Sequence, residues 1–217
     1  MGILPGDGIL FIGDSVTDCG RARPVGKGTS GTLGNGYVAE VDAAITRTGY
    51  NPTVEVYNMG IGGNTVRDLA NRWDADVVAR RPEWVSILIG INDVWRFFDS
   101  RGFGAVMPQE FVRTYDNLLN RMPNSVKGVV LMSPFFVQPK RTDPMRVRMD
   151  EYGAMVKSMA AHRGATFVDL QAVLDKELET QPYLNLAADR IHPTPLGHWV
   201  IAEAFLKAVG ITPRPRP

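Results

Sequence analysis

Ser15 lies in Phe11-Ile-Gly-Asp-Ser-Val-Thr-Asp18, where a short apolar run ends in a glycine-assisted turn. A serine on such a turn projects its hydroxyl from the edge of a sheet and is a candidate nucleophile. A hydroxyl needs a neighbouring base to become reactive, and only three histidines are available to serve. His192 follows Asp189 by three residues in Asp189-Arg-Ile-His-Pro-Thr-Pro-Leu-Gly-His198. That spacing lets the carboxylate hold the imidazole within one turn and fix its tautomer. Thr194 followed by Pro195 predicts a helix start just beyond, which would anchor the loop. The plainer reading of Gly-Asp-Ser is that Asp14 and Ser15 cap a turn or a helix.

Two more polar groups end apolar runs. Asn58-Met-Gly-Ile-Gly-Gly-Asn-Thr65 brings three glycines into one turn, and Thr65 with Asp68 resembles a capping arrangement for the next helix. Its free N–H groups can bind phosphate or a developing oxyanion, or the segment can be a tight turn and nothing more. In Ile89-Gly-Ile-Asn-Asp-Val-Trp95, the Asn92 amide can donate to an oxyanion, or it can close an Asx-turn. His162, before Arg163-Gly164, reads as the solvated end of a helix, and His198 is expected on the last helix. A His192–His198 metal pair lacks a third ligand and a usual spacing, so no metal site is expected. Arg21, Arg23 and Arg96 either shape an entrance or form solvated ion pairs.

These groups need a frame that carries them to one rim. Ile9–Ile12, Val54–Tyr57, Trp84–Ile89, Val129–Met132 and Thr166–Val168 are apolar runs of strand length. Between them, Tyr37/Val41/Ala44/Ile45, Val66/Leu69/Ala70/Trp73 and Phe111/Tyr115/Leu118/Leu119/Met122 recur at helical spacing. Strand alternating with helix predicts right-handed crossovers, and so a central, mostly parallel five-stranded sheet in a three-layer α/β/α sandwich. Ligands of such sheets bind beyond the carboxyl ends of the strands, where all four polar groups fall. There is no internal repeat, and residues 1–217 are expected to form one domain, with 212–217 a frayed Pro-rich tail.

Composition narrows the function. Of 217 residues 44% are hydrophobic and 22% charged, which suits a globular domain rather than a disordered chain. Lys and Arg number 24 against 23 Asp and Glu, so no basic block exists to track nucleic acid. The early apolar run stops at Asp14, too short for a signal peptide or membrane span. The single cysteine, Cys19, rules out an intrachain disulfide. A cytoplasmic protein is expected.

In their order, Gly-Asp-Ser15, the Gly62-Gly63 turn, Gly-x-Asn92-Asp and Asp189-x-x-His192 resemble the SGNH, or GDSL-like, hydrolase family. The opening here is Gly-Asp-Ser-Val rather than Gly-Asp-Ser-Leu, a change beside the reacting group. The resemblance implies a flavodoxin-like fold and a serine hydrolase without cofactor. It makes Ser15 the nucleophile and an oxyanion donor, Gly63 a backbone donor, Asn92 a side-chain donor, His192 the base and Asp189 its orienting acid. Gly60 and Gly62 stand in the same turn as Gly63, so the backbone donor is open among them. Gly13–Pro24, Gly63–Asp68, Ile89–Arg96 and Asp143–Arg146 are further similar to a cytoplasmic acetyl xylan esterase subgroup. That similarity implies removal of O-acetyl groups from xylo-oligosaccharides, a small acetylated saccharide as partner, and a homo-oligomer. Trp95 would then either offer its face to a sugar ring or pack the rim. The rival expectations are an esterase or thioesterase of lipid-derived acyl groups and a sugar-binding protein without turnover.

Overall fold

The computed structural model describes residues 2–28, 31–50, 52–99 and 101–212. Of the expected frayed tail, 213–217 lie outside the described residues. Strand β1 (Gly8–Gly13) is buried along its whole length, as an apolar run covered on both faces should be. Its side chains alternate: Ile9 and Phe11 enter one core, Leu10 and Ile12 the other. The short helix α1 (Ser15–Asp18) follows directly.

All five strands read from the sequence form. They are β1, β3 (Glu55–Asn58), β4 (Trp84–Leu88), β5 (Gly128–Met132) and β6 (Thr166–Val168), laid side by side in the order β3-β1-β4-β5-β6 and parallel throughout. Counted among themselves they run 2-1-3-4-5, the flavodoxin-like order, whose switch point falls between β1 and β4. The sheet has six strands, however, not five. The sixth, β2 (Gly26–Lys27), pairs antiparallel with β3, Gly26 opposite Asn58 and Lys27 opposite Tyr57. A glycine and a lysine carry no apolar alternation, so this edge pairing gives no periodic signal, and a lysine on an edge also discourages further strand addition.

Helices cover both faces. On one, α2 (Tyr37–Thr46), α7 (Leu170–Glu177) and α8 (Pro195–Ala208) bury Tyr37, Val41, Leu174, Ile201 and Phe205 against Ile9 and Phe11. On the other, α3 (Val66–Trp73), α5 (Pro108–Asn120) and α6 (Pro144–Arg163) bury Leu69, Trp73, Phe111, Tyr115 and Tyr152 against Leu10 and Ile12. Each such aliphatic or phenyl side chain contributes about 1.5–3 kcal/mol relative to exposure. Two packed cores therefore fix β1 and β4 from both sides, and the turns after them are held on a rigid base. A five-residue helix, α4 (Ile91–Trp95), leaves the end of β4 with Asn92 in its first turn.

Candidate active site

The turn after β1 forms the helix cap that Gly-Asp-Ser allows and sets the Ser15 hydroxyl beside a histidine. Asp14 caps α1, its carboxylate accepting the Val16 N–H at 3.0 Å, and Ser15, the first helical residue, is left half-buried with its hydroxyl 3.1 Å from His192 Nε2. Burial pushes the Asp14 carboxyl up to about 7, against the Val16 hydrogen bond and the His192 charge. On its other side, the His192 ring donates from Nδ1 to Asp189 Oδ2 at 2.6 Å. Asp189 Oδ1 accepts the main-chain N–H groups of His192 at 2.8 Å and Ile191 at 3.0 Å. With Nδ1–H committed to the carboxylate, Nε2 is left as the acceptor for the Ser15 hydroxyl. Burial raises the Asp189 carboxyl, but the hydrogen bonds from His192 and Ile191 outweigh it and hold the group below the usual carboxylate range.

The loop bearing His192 is anchored as the sequence implied. Thr194 Oγ1 accepts the Gly197 N–H at 3.2 Å to cap α8, and donates to the Asn185 carbonyl at 2.5 Å. Trp95 is half-buried and meets the His192 ring edge-to-face, centroids 6.3 Å apart.

The glycine turn after β3 lies against Ser15. A Cβ on Gly60 would stand 2.2 Å from the Asp18 N, so only glycine lets the turn approach α1 this closely. Its N–H groups can be accounted for one by one. Gly60 donates to Asn58 Oδ1 at 2.9 Å, Ile61 to the Gly13 carbonyl at 3.1 Å, Gly62 to Asp18 Oδ2 at 2.9 Å and Asn64 to the Ile61 carbonyl at 3.3 Å. Among the described residues, Gly63 N–H alone in this turn has no acceptor, on an exposed residue at φ +79°. The helix beyond opens as the sequence implied, Asp68 Oδ2 accepting both the Thr65 N–H at 2.8 Å and its hydroxyl at 2.7 Å.

Asn92 is buried beside this turn and spends one amide hydrogen on the Asn64 carbonyl at 3.0 Å. A primary amide has two, so the orientation is fixed while one donor remains. The other two histidines are engaged elsewhere. His162 ends α6, its Nδ1–H on the Ser158 carbonyl at 2.8 Å. His198 is buried in α8, its Nδ1 accepting the Tyr37 N–H at 3.1 Å and its Nε2 3.4 Å from Cys19 Sγ. Burial, and then the His192 charge, pull its imidazole down to about 4, so it is neutral near pH 7. A cavity of about 820 Å³ between α2, α7 and α8 is lined by none of Ser15, Asp189 or His192. Ser15, His192 and Asp189 lie instead at the rim of the sheet.

Residues 11–200 match the model of the GDSL-like Lipase/Acylhydrolase family. This chain belongs to that family. As a GDSL-like hydrolase it is a carboxylic ester hydrolase, and its likeness to particular members is close over nearly its whole length. It is 47% identical over 212 residues to an acetylxylan esterase from Geobacillus stearothermophilus, covering 97% of each chain. The crystal structure of an acetylxylan esterase from that organism superposes with a TM-score of 0.95 at 46% identity, covering all of both chains. Three further structures of it are of catalytic mutants in which a serine, a histidine or an aspartate is replaced by alanine. An α/β hydrolase from the metagenome of Lake Arreo, Spain, is 42% identical with a TM-score of 0.93, covering 96% of this chain and 97% of its own.

The sequence assigns no role to Asp93 and Arg72, which shape the site of this GDSL-like hydrolase, and leaves Arg21, Arg23 and Arg96 between an entrance and solvated ion pairs. Asp93, wholly buried, accepts the Val66 N–H at 3.0 Å and so holds the far end of the glycine turn. Arg96 donates to the Gly63 carbonyl at 2.6 Å. Arg21 is buried, with Nε on the Gly60 carbonyl at 2.8 Å, and Arg23 pairs with Asp18 at 2.6 Å. Arg72 reaches four acceptors around the same turn. The contacts of Asp93, Arg96 and Arg21 with this turn, and that of Arg72 with Gly13, span 27 to 59 residues of sequence, so nothing local distinguishes such an arginine or aspartate from a surface charge.

Proposed function

We propose that this protein removes O-acetyl groups from xylo-oligosaccharides through an acetyl-enzyme formed on Ser15. The observation that carries the reading is the unbroken line from Ser15 Oγ to His192 Nε2 at 3.1 Å and from His192 Nδ1 to Asp189 Oδ2 at 2.6 Å. Ser15 attacks the acetyl carbonyl as His192 takes its proton. The tetrahedral oxyanion is met by the N–H of Ser15, the unpartnered N–H of Gly63 and the second amide hydrogen of Asn92. Collapse expels the sugar alcohol, which receives the proton from His192. Water, deprotonated by the same ring, then attacks the acetyl-enzyme, releasing acetate and restoring Ser15. Nucleophile, base and oxyanion donors are all supplied by the chain, so the reaction needs no cofactor or metal.

The saccharide substrate is supported by 47% identity to an acetylxylan esterase over nearly all of both chains. Trp95, beside His192, forms a wall of the site against which the sugar packs. Within this reading 1–217 is one hydrolase domain, located in the cytoplasm and assembled as a homo-oligomer. A lone cysteine fits a reducing compartment, and the exposed Leu196 and Trp199 of α8 give an assembly an apolar surface. Among the described residues no helix is long and apolar enough to cross a membrane.

The test is acetate release from acetylated xylo-oligosaccharides by chelator-treated protein, with Ser15→Ala as control. Release by the wild type alone is expected, with rates falling steeply as the acyl chain is lengthened. Faster turnover of long acyl esters would move the substrate to lipid-derived acyl groups. Saccharide binding without acetate release would make the protein a sugar-binding member of its family.

A further inference from the structure

We propose that Arg72 is a positioning residue that sets the spacing between the Ser15 turn and the two oxyanion donors, Gly63 N–H and the Asn92 amide, by holding Asn64. The inference rests on the esterase reading of the site. Arg72 lies near the end of α3 with only 14% of its side chain exposed, and its guanidinium joins segments that the sheet alone does not connect. Nη2 donates to the Gly13 carbonyl at 3.0 Å, two residues before Ser15. Nη1 donates to the Met59 carbonyl at 2.7 Å, just past the end of β3, and to Asp76 Oδ2 at 2.6 Å. Nε donates to Asn64 Oδ1 at 2.8 Å.

Asn64 is where the two oxyanion donors meet. It directly follows Gly63, and its carbonyl accepts the amide hydrogen that orients Asn92. A shift of Asn64 therefore moves both donors together, while Gly13 stays tied to β1 and β4. Arg72 links the two: one planar fork grips the nucleophile strand with one arm and the oxyanion turn with another. The flat guanidinium presents fixed, divergent donors, which a lysine ammonium cannot reproduce. Asp76 neutralises the charge at the back, so the front of the group is given entirely to main-chain and amide acceptors. Because oxyanion donors act on the transition state, a displacement of tenths of an ångström slows turnover without weakening binding.

The experiment measures kcat and KM on a small activated acetate ester. Arg72→Ala is expected to lower kcat about 10²-fold, the scale of one lost oxyanion donor, with KM within about threefold. Guanidinium ion below denaturing concentration should restore kcat about tenfold in this variant by refilling the gap, and should leave the wild type unchanged. A lowered melting temperature with kcat intact would overturn the proposal in favour of a purely structural role. If Arg72→Ala does not fold, two variants at half-buried Asn64 decide. Asn64→Ala removes the acceptor and should slow kcat about tenfold, whereas Asn64→Asp keeps it and should recover most of the loss. Equal kcat in Asn64→Ala and wild type, or no recovery in Asn64→Asp, overturns this inference alone. A wild type that turns over no acetate ester overturns it together with the esterase reading.

Discussion

Asp189 holds His192 by two routes at once, Oδ2 on the ring Nδ1–H at 2.6 Å and Oδ1 on the main-chain N–H at 2.8 Å. The loop and the tautomer are thus set by one carboxylate. Asp189→Asn can keep the main-chain bonds through its amide oxygen, but it turns an N–H toward the ring. Nδ1 must then accept, the proton moves to Nε2, and the Ser15 hydroxyl loses its base. The expected result is a fall in kcat of about 10³–10⁴-fold with the melting temperature nearly unchanged, the scale of the corresponding substitution in serine proteases. A loss below about tenfold would show that the ring is oriented by other contacts.

Asn92→Ala removes the amide proposed as an oxyanion donor and its tie to the Asn64 carbonyl. The loss should appear as about 10²–10³ in kcat, or about 2.7–4 kcat-derived kcal/mol of transition-state stabilisation, with KM changed by less than about threefold. Steady-state kinetics on an activated acetate ester measures it. Full turnover in the variant would remove Asn92 from the reaction.

What the sequence revealed and what it hid divide along contact range. Asp189 and His192 are three residues apart, Thr194 caps its own helix, and Ser15 stands two residues past the end of its own strand, so local spacing exposes all of them. The donor within the glycine turn was open because choosing Gly63 requires knowing that Gly62 is taken by Asp18, 44 residues away, and Gly60 by Asn58. Arg72 was hidden for the same reason, its Gly13 partner being 59 residues distant. Strand β2 was missed because its two residues, a glycine and a lysine, carry no apolar alternation, and the Lys27 ion pair with Glu55 at 2.9 Å joins residues far apart in sequence. The five parallel strands were legible because burial on both faces demands continuous apolar runs.

Trp95 separates binding from chemistry. Its half-buried ring stands against His192, and as a wall for the sugar it should contribute on the order of 0.5–1.5 kcal/mol to saccharide binding. Trp95→Ala is then expected to raise KM for acetylated xylo-oligosaccharides by about two- to tenfold while sparing kcat on a small acetate ester. An equal loss of kcat on both esters, with KM unchanged, would assign the ring to bracing His192 instead.

Two buried groups titrate in opposite senses and mask each other. Burial pushes Asp93 up to about 7, the Val66 hydrogen bond opposing and the Asp14 charge adding, from about 4 when unfolded. The fold therefore favours its neutral form, and the stability this gives is complete below about pH 4 and is lost as pH rises toward 7. His198 is pulled down to about 4 from about 6.5 when unfolded. The fold favours its neutral form as well, but here the stability is complete above about pH 6.5 and is lost as pH falls toward 4. In the wild type the Asp93 and His198 slopes oppose across one window, and Asp14, also pushed up to about 7, adds to the Asp93 side. Each substitution is therefore read as its difference from the wild type. Asp93→Asn should gain in melting temperature relative to wild type as pH is raised from 4 to 7. His198→Asn keeps an acceptor for the Tyr37 N–H, and should gain relative to wild type as pH is lowered over the same range. Calorimetric melts at intervals across it give both differences, and a curve parallel to the wild type for either variant would show that its group does not titrate in that window.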